Sequence, residues 1–388
     1  MGGHNQVKFS KDLPVSLVVL GMCKMKGAIM ECCAVMVGFL CGLLLVDTPC
    51  LVAAEPVFPG VDWEHETNDL SPETFRAVEA FVHTLDTTGL MVVEHGRVIY
   101  EYGDVKKLSY IASVRKSVLS MLYGPYVADG KIRLDATLKD LGMSDVGGLL
   151  PIEERAKVID LITARSGVYH PVEEIDDPMA PKRGSKEPGT YWFYNAWDFN
   201  VADAIFEQMT GKDVYDALRD DLAIPIGMQD FKRKVQYQLV LPRSQYPFKH
   251  MVLSTRDMAR LGLLMLRQGQ WRGRQIIPAE WVSRSTRVRT PSTEMQDSDL
   301  GYGYLWWVWE DASGPYHGAY TATGSFGQFI TVLPALDMVV AHKTLPTGNV
   351  KAGRYLRLLD LLTGKQPASK DELASWAGSP AKPPAPPK

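Results

Sequence analysis

The two ends of the chain carry strand-like hydrophobic patterns, whereas the region between them is mostly helical in its pattern. Residues 89–103, GLMVVEHGRVIYEYG, hold two β-rich runs around His95-Gly96, which predicts a β-hairpin. Near the other end, residues 304–310, 327–334 and 337–344 predict three more strands. We therefore expect the two ends of the chain to share one antiparallel sheet of about five strands.

Helical spacing recurs in the segments between and after these strands. Ser254 can cap a helix that continues through MARLGLLMLRQG, and Pro278 stands in the first turn of a second helix. Residues 353–364 predict a third helix that ends at Gly364. The predicted fold class is α+β, with a sheet flanked by helices and a helical lobe inserted between its two ends. A site is expected where these two parts meet.

Residues 1–54 predict a secretory signal peptide. Lys24 and Lys26 precede an apolar run at 34–46 that is too short for a comfortable membrane span, and small residues follow at 52–54. Later methionines could be the true start, and an uncleaved anchor is the competing interpretation. We expect an exported protein, periplasmic or extracellular, that contacts membrane only through this segment if it is retained.

Composition narrows the class of the remaining chain. With 388 residues, 46% hydrophobic content and a net charge of −3, the protein can bury a large core and lacks the basic excess of nucleic-acid binding. All five cysteines lie at or before Cys50, and no histidine pair has metal-binding spacing, so no metal or cofactor is expected. Residues 55–364 are predicted to form one domain, and the Pro-, Ala- and Lys-rich residues 365–388 a flexible tail.

One predicted helix carries candidate chemistry, in the segment ASVRKSVLSMLYG. Ser113 and Lys116 are three residues apart, which places them one turn apart on the same helix face. Burial would lower the pKa of the lysine, and a neutral amine can accept the proton of a serine hydroxyl. The spacing alone is weak, since Ser379 and Lys382 repeat it in the tail, and a structural helix with a snorkelling lysine is an equal interpretation.

Two further segments could complete such a site. Tyr194 follows the turn at 188–190, and its hydroxyl could relay a proton to a leaving group. Residues 322–325, Ala-Thr-Gly-Ser, lead into a predicted strand, where a glycine lets a substrate approach the backbone closely. Taken alone, the tyrosine could equally be a packing residue and the second segment no more than a glycine-rich turn.

Together the three segments resemble the serine β-lactamase and penicillin-binding-protein superfamily, in order and in approximate spacing. The similarity is greatest to its class C-like branch, which includes esterases and 6-aminohexanoate-dimer hydrolases, and LITARSGVYH and YGYLWWV are also typical of that branch. The resemblance implies a β-lactamase-like fold with Ser113 as nucleophile, Lys116 as base and Tyr194 as the motif tyrosine. It also implies an oxyanion hole from the amides of Ser113 and Ser325.

The same resemblance suggests that Thr323, Gly324 and Asn195 contact the substrate, but two motif positions differ from the family pattern. Ala196 stands where the tyrosine motif has asparagine, and Ala322 replaces the lysine that helps to hold the carboxylate of penicillin-like substrates. We therefore expect a hydrolase of a small ester or amide rather than an efficient β-lactamase. A β-lactamase or peptidase, and a non-catalytic binding protein on the same fold, are the alternatives.

Overall fold

The computed structural model describes residues 56–66, 70–174, 177–295, 298–310 and 312–377. The strands are β1 (Thr87–Glu94), β2 (Arg97–Gly103), β3 (Ser109–Tyr110), β4 (Tyr237–Leu241), β5 (Ser244–His250), β6 (Val252–Leu253), β7 (Gln270–Trp271), β8 (Arg274–Gln275), β9 (Gly301–Tyr302), β10 (Trp307–Val308), β11 (Tyr320–Gly324), β12 (Gln328–Leu333) and β13 (Met338–Thr344). The helices are α1 (Pro72–Val82), α2 (Val114–Ala128), α3 (Val158–Ile162), α4 (Ala196–Thr210), α5 (Val214–Ala217), α6 (Ile224–Ile226), α7 (Thr255–Leu266), α8 (Ala279–Ser285), α9 (Ala352–Leu362) and α10 (Lys370–Ala377). The predicted signal peptide at residues 1–54 lies outside the described residues.

A seven-stranded antiparallel sheet forms the centre, in the order β2-β1-β13-β12-β11-β10-β9. The predicted antiparallel sheet built from both ends of the chain is confirmed, and so is its first hairpin. The expected number of about five strands is too low, because β9 and β11 were not predicted. Strand β9 is only two residues long, and β11 has the sequence YTATG, whose small polar residues resemble a turn.

Alternating side chains bury both faces of this sheet. In β1, Leu90 and Val92 join the core beneath α1 and α9, whereas Met91 and Val93 join the core that contains α2 and α7. Helix α7 lies close to the sheet at Gly262, where a Cβ atom would come within 2.4 Å of a Val339 methyl group. The helix holding the candidate serine and the central strands thus share one hydrophobic core.

The inserted region is less purely helical than predicted. Helix α7 is confirmed, with the Ser254 hydroxyl capping it through the Asp257 amide at 3.1 Å. The same region, however, contains the β4–β5 hairpin and the short β3–β6 and β7–β8 pairs. Strand β5 includes Pro247, which is tolerated because the two-stranded hairpin leaves edges unpaired.

The prediction of a flexible tail from residue 365 is wrong for its first part. Helix α10 packs on α1, and the Trp376 ring lies 4.9 Å from that of Phe81. The Arg357 side chain forms an ion pair with Glu372 at 3.0 Å, which fixes α10 to α9. Trp376, with the partly buried Ala368 and Leu373, therefore supplies apolar surface that the composition of the segment did not suggest. None of the described helices is both long and apolar enough to cross a bilayer.

Candidate active site

Ser113 is the N-cap residue of α2, and its hydroxyl faces the side chain of Lys116. The Lys116 amine lies 2.6 Å from the Ser113 hydroxyl oxygen, so the predicted pair is in hydrogen-bond contact. Ala112 precedes the serine with φ of +49°, in the left-handed region that few non-glycine residues adopt. Ser113 therefore stands at the N-terminal end of α2, directly after this strained residue. The helix dipole favours negative charge at that end.

The Lys116 side chain is buried without a carboxylate in contact among the described residues. Its amine lies 4.8 Å from the ring centres of both Tyr194 and Phe199. Burial, helped by the positive charge of Arg115, holds the pKa of Lys116 well below its usual value, while Asp203 opposes the shift. The lysine is therefore suited to exchange a proton with Ser113 rather than to hold a permanent charge.

Tyr194 joins this pair, as its position after the 188–190 turn suggested. Its ring packs against Phe199 at 4.6 Å and Trp307 at 5.8 Å, which fixes its orientation. Burial raises the pKa of Tyr194 to about 12, although a side-chain hydrogen bond with Ser113 opposes the rise. The phenol thus stays protonated at neutral pH and can donate to an atom bound at the serine.

Strand β11 places residues 322–324 of the Ala-Thr-Gly-Ser segment against the turn that precedes Ser113. The Gly324 backbone packs so closely that a Cβ atom there would lie 2.6 Å from the Ile111 carbonyl oxygen and 3.2 Å from the Ala112 Cβ. Strand β10 pairs only with Tyr320 and Thr321, so the edge of β11 beyond them has no partner strand in the described chain. Thr323 and Gly324, the half-buried residues at this end of β11, therefore lie beside the segment that leads into Ser113.

Replacing Gly324 with alanine is expected to destabilise the fold by about 1–3 kcal/mol and to reduce activity, because the obstructing atom is rigid backbone. Thermal unfolding and ester hydrolysis would measure the two effects. Gly353, in α9, is the matched control, since a Cβ there meets nothing within 4 Å, and Gly353→Ala should keep the activity and should not lower the stability. Unaltered stability in Gly324→Ala would contradict this close approach.

The other predicted contact residues occupy different settings. Thr323 is half-buried on β11 and Ser325 is exposed in the turn that follows, so a role for its amide in an oxyanion hole stays a prediction. The Asn195 amide oxygen accepts a hydrogen bond from the Asp198 amide at 3.0 Å. Asn195 thus caps α4 beside Tyr194, which accounts for an asparagine at this position without the substrate.

Several residues at the site were not predicted from the sequence. Arg115 forms a buried ion pair with Asp203 on α4 at 2.8 Å, which joins the helix of the serine to the helix after the tyrosine. Buried Lys343 on β13 donates to the Ser109 carbonyl at 2.9 Å and also to that of Leu253. It thereby ties β3 and β6 to the central sheet. A lysine in an otherwise apolar strand was the signal for this role.

The described residues include no group of three or more histidine, cysteine, aspartate or glutamate side chains placed to hold a metal ion. A serine, a lysine and a tyrosine that meet beside a central antiparallel sheet are the arrangement expected of the β-lactamase fold. Comparison with known proteins agrees: the β-lactamase family model matches residues 76–363, so the chain belongs to that family.

Solved structures of similar fold include esterase and hydrolase relatives. A Bacillus anthracis protein with the provisional name 6-aminohexanoate-dimer hydrolase superposes with a TM-score of 0.60 at 17% identity, covering 81% of this chain and 90% of that one. A family VIII carboxylesterase superposes with a TM-score of 0.56 at 13% identity, covering 76% and 98%. At these identities the similarity concerns the fold.

A relative found by its sequence matches a smaller part of the chain than these structures do. An uncharacterized protein of Alkalihalophilus pseudofirmus is 26% identical over 114 residues, which are 28% of this chain and 34% of that protein. The match spans about a third of that relative's length.

Proposed function

We propose that the protein is an exported serine hydrolase that cleaves an ester or amide bond through an acyl-enzyme on Ser113. The observation that carries this proposal is the 2.6 Å contact between the Ser113 hydroxyl and a buried Lys116 amine. Because burial lowers the pKa of Lys116, a neutral amine is available to accept the hydroxyl proton. A purely structural lysine would be stabilised by a carboxylate or by water.

The proposed reaction gives each of these residues a defined role. Lys116 accepts the proton as the Ser113 oxygen attacks the carbonyl carbon, and the backbone amides of Ser113 and Ser325 stabilise the oxyanion. The protonated phenol of Tyr194 then gives a proton to the leaving alcohol or amine, and Lys116 restores it. Water attacks the acyl-enzyme by the same route and releases the acid.

The substrate is proposed to be an ester more readily than an amide. Ala322 is fully buried and stands where the family motif has lysine, so it cannot form the charge-assisted contact with a substrate carboxylate. The missing lysine argues against β-lactams as substrates. The alternative proposal is that the same residues carry out β-lactamase or peptidase activity. A carboxylesterase among the proteins of similar fold supports the ester proposal.

Covalent labelling of Ser113 tests the proposal. Intact mass of the secreted protein after reaction with a fluorophosphonate should show one adduct, because the probe reacts with serines activated by a base. Ser113→Ala should show none. Ser120→Ala is the matched control on the same helix face, since its hydroxyl is buried without a hydrogen-bond partner among the described residues, and it should label normally.

Two outcomes would change this conclusion. Absence of an adduct on folded wild-type protein would favour the rival proposal, a non-catalytic binding protein on the same fold. The same mass also tests export, because removal of residues 1–54 predicts a chain that begins at Glu55. A secreted chain that retains its N-terminal segment would favour the uncleaved anchor.

A further inference from the structure

The β4–β5 hairpin continues directly into a strand that borders the nucleophile segment. After β5 ends at His250, β6 pairs antiparallel with β3, with Ser109 opposite Leu253. The Ile111 amide then donates to the Met251 carbonyl at 3.1 Å. The end of the hairpin therefore lies alongside the segment that leads into Ser113.

One face of this hairpin is apolar and aromatic. Tyr237 pairs with His250 across the strands, and Leu239 pairs with Phe248, so these four side chains share one face. The Tyr237 and His250 rings are stacked, with centres 4.8 Å apart and an interplanar angle of 9°.

This face touches residues on both sides of the nucleophile. The Tyr110 ring lies 4.7 Å from that of His250, and the Arg115 guanidinium lies 5.3 Å from the ring centre of Phe248. Tyr110 precedes Ser113 by three residues and interacts electrostatically with Tyr194, so this side of the hairpin face lies beside the candidate site. Tyr237 and Leu239 remain 43% and 49% exposed there, which is unusual for large apolar side chains grouped together.

The surroundings of this face carry little net charge. Asp203 pairs with Arg115, and Ala322 replaces the motif lysine. Burial, with the nearby charges of Arg115 and Lys116, lowers the pKa of His250 to about 4, so its ring is neutral at pH 7. A carboxylated substrate group would find no unpaired cation in these described surroundings, whereas an apolar group would find a preformed contact surface.

We propose that Tyr110, Tyr237, Leu239, Phe248 and His250 form an apolar wall that binds an uncharged alkyl or aromatic group of the substrate. The inference rests on the proposed hydrolase function and names its substrate class. The wall selects esters or amides with an apolar group of several carbons, and it selects against short or carboxylated ones. The test below separates a group on the acyl side of the scissile bond from one on the alcohol side.

Steady-state hydrolysis of two ester series tests this wall. The acyl series is 4-nitrophenyl acetate, butyrate, octanoate and the carboxylated glutarate monoester, and the alcohol series is ethyl, butyl and octyl acetate. In at least one series kcat/KM should rise with chain length, and the glutarate ester should be slower than octanoate. In Leu239→Ser and Tyr237→Ala the ratio of kcat/KM between the longest and shortest substrate should fall about tenfold, since hydrophobic contacts of this size discriminate by that order.

Val240→Ser provides the matched control. Val240 is 83% exposed on the same strand and is not among the four paired side chains of this face. It should leave the chain-length ratio unchanged. An equal change in Val240→Ser, a flat chain-length profile in both wild-type series, or glutarate turnover equal to that of octanoate would each overturn the wall.

Fluorophosphonate labelling keeps the two proposals distinguishable. Labelled Ser113 with no chain-length preference would overturn the wall and leave the hydrolase proposal standing. No label and no ester turnover would overturn both. Faster labelling by an octyl than by an ethyl fluorophosphonate, lost in Leu239→Ser and retained in Val240→Ser, would support the wall by a readout independent of turnover.

Discussion

Replacing Lys116 with methionine is expected to lower kcat/KM for an ester about 10²–10⁴-fold, the range of a lost general base. Methionine keeps the length and the apolar contacts of the side chain but cannot accept the Ser113 proton across the 2.6 Å contact. Stability should not fall, because the lysine amine is buried without an ion-pair partner among the described residues and its removal relieves desolvation. Hydrolysis kinetics and thermal unfolding would measure the two effects.

The pH profile adds a signature that a structural lysine would not give. The reaction needs the neutral amine, so wild-type kcat/KM should rise as pH increases through the pKa of Lys116. Because burial lowers that pKa, the rise should lie well below the ordinary lysine value of 10.5. The Lys116→Met variant should lose this rise of kcat/KM with pH, whereas Ser120→Ala should keep both the wild-type kcat/KM and its pH profile. A Lys116→Met protein within a few-fold of wild type would refute the assignment of Lys116 as base.

The sequence predicted the elements whose signals are local. Ser254 caps α7 with the expected geometry, and Gly364 follows the end of α9 in the left-handed conformation. The triad of Ser113, Lys116 and Tyr194 was predicted because each lies in a short motif, and the fold does bring the three together. Such features depend on a few neighbouring residues, so the sequence alone can predict them.

Features that depend on distant partners were missed. Strand β11 is a strand because β12 pairs with it along its whole length, not because YTATG favours extended structure. Helix α10 is stabilised by the packing of Trp376 against Phe81, which lies about 300 residues earlier in the chain. The apolar wall likewise needs Tyr110 and His250 to meet across 140 residues, and neither carries a motif. These contacts are tertiary, and local patterns do not encode them.

The buried pair of Arg115 and Asp203 gives the largest expected effect on stability. Their side chains are 2% and 1% exposed, and the nitrogen and oxygen lie 2.8 Å apart. Asp203→Ala should destabilise the protein by about 3–5 kcal/mol, because it leaves the guanidinium buried and unpaired. Glu187→Ala is the matched control, since its pair with Arg155 has a similar distance of 2.6 Å but is mostly exposed, and it should lose at most about 1 kcal/mol.

A double variant measures the interaction between Arg115 and Asp203 apart from the other contacts of each side chain. Arg115→Met with Asp203→Leu should be more stable than Arg115→Met alone or Asp203→Leu alone, because no unpaired charge remains. A double variant that is as unstable as the sum of the singles would contradict an interaction between them.

The pair also sets the charge felt by Lys116. Asp203 raises and Arg115 lowers the pKa of Lys116, so Asp203→Ala should move the rising limb of kcat/KM to lower pH and Arg115→Met should move it to higher pH. Opposite shifts from two residues in one ion pair would be difficult to explain by loss of folding alone. They would link the buried contact between α2 and α4 directly to the proton that Ser113 must lose.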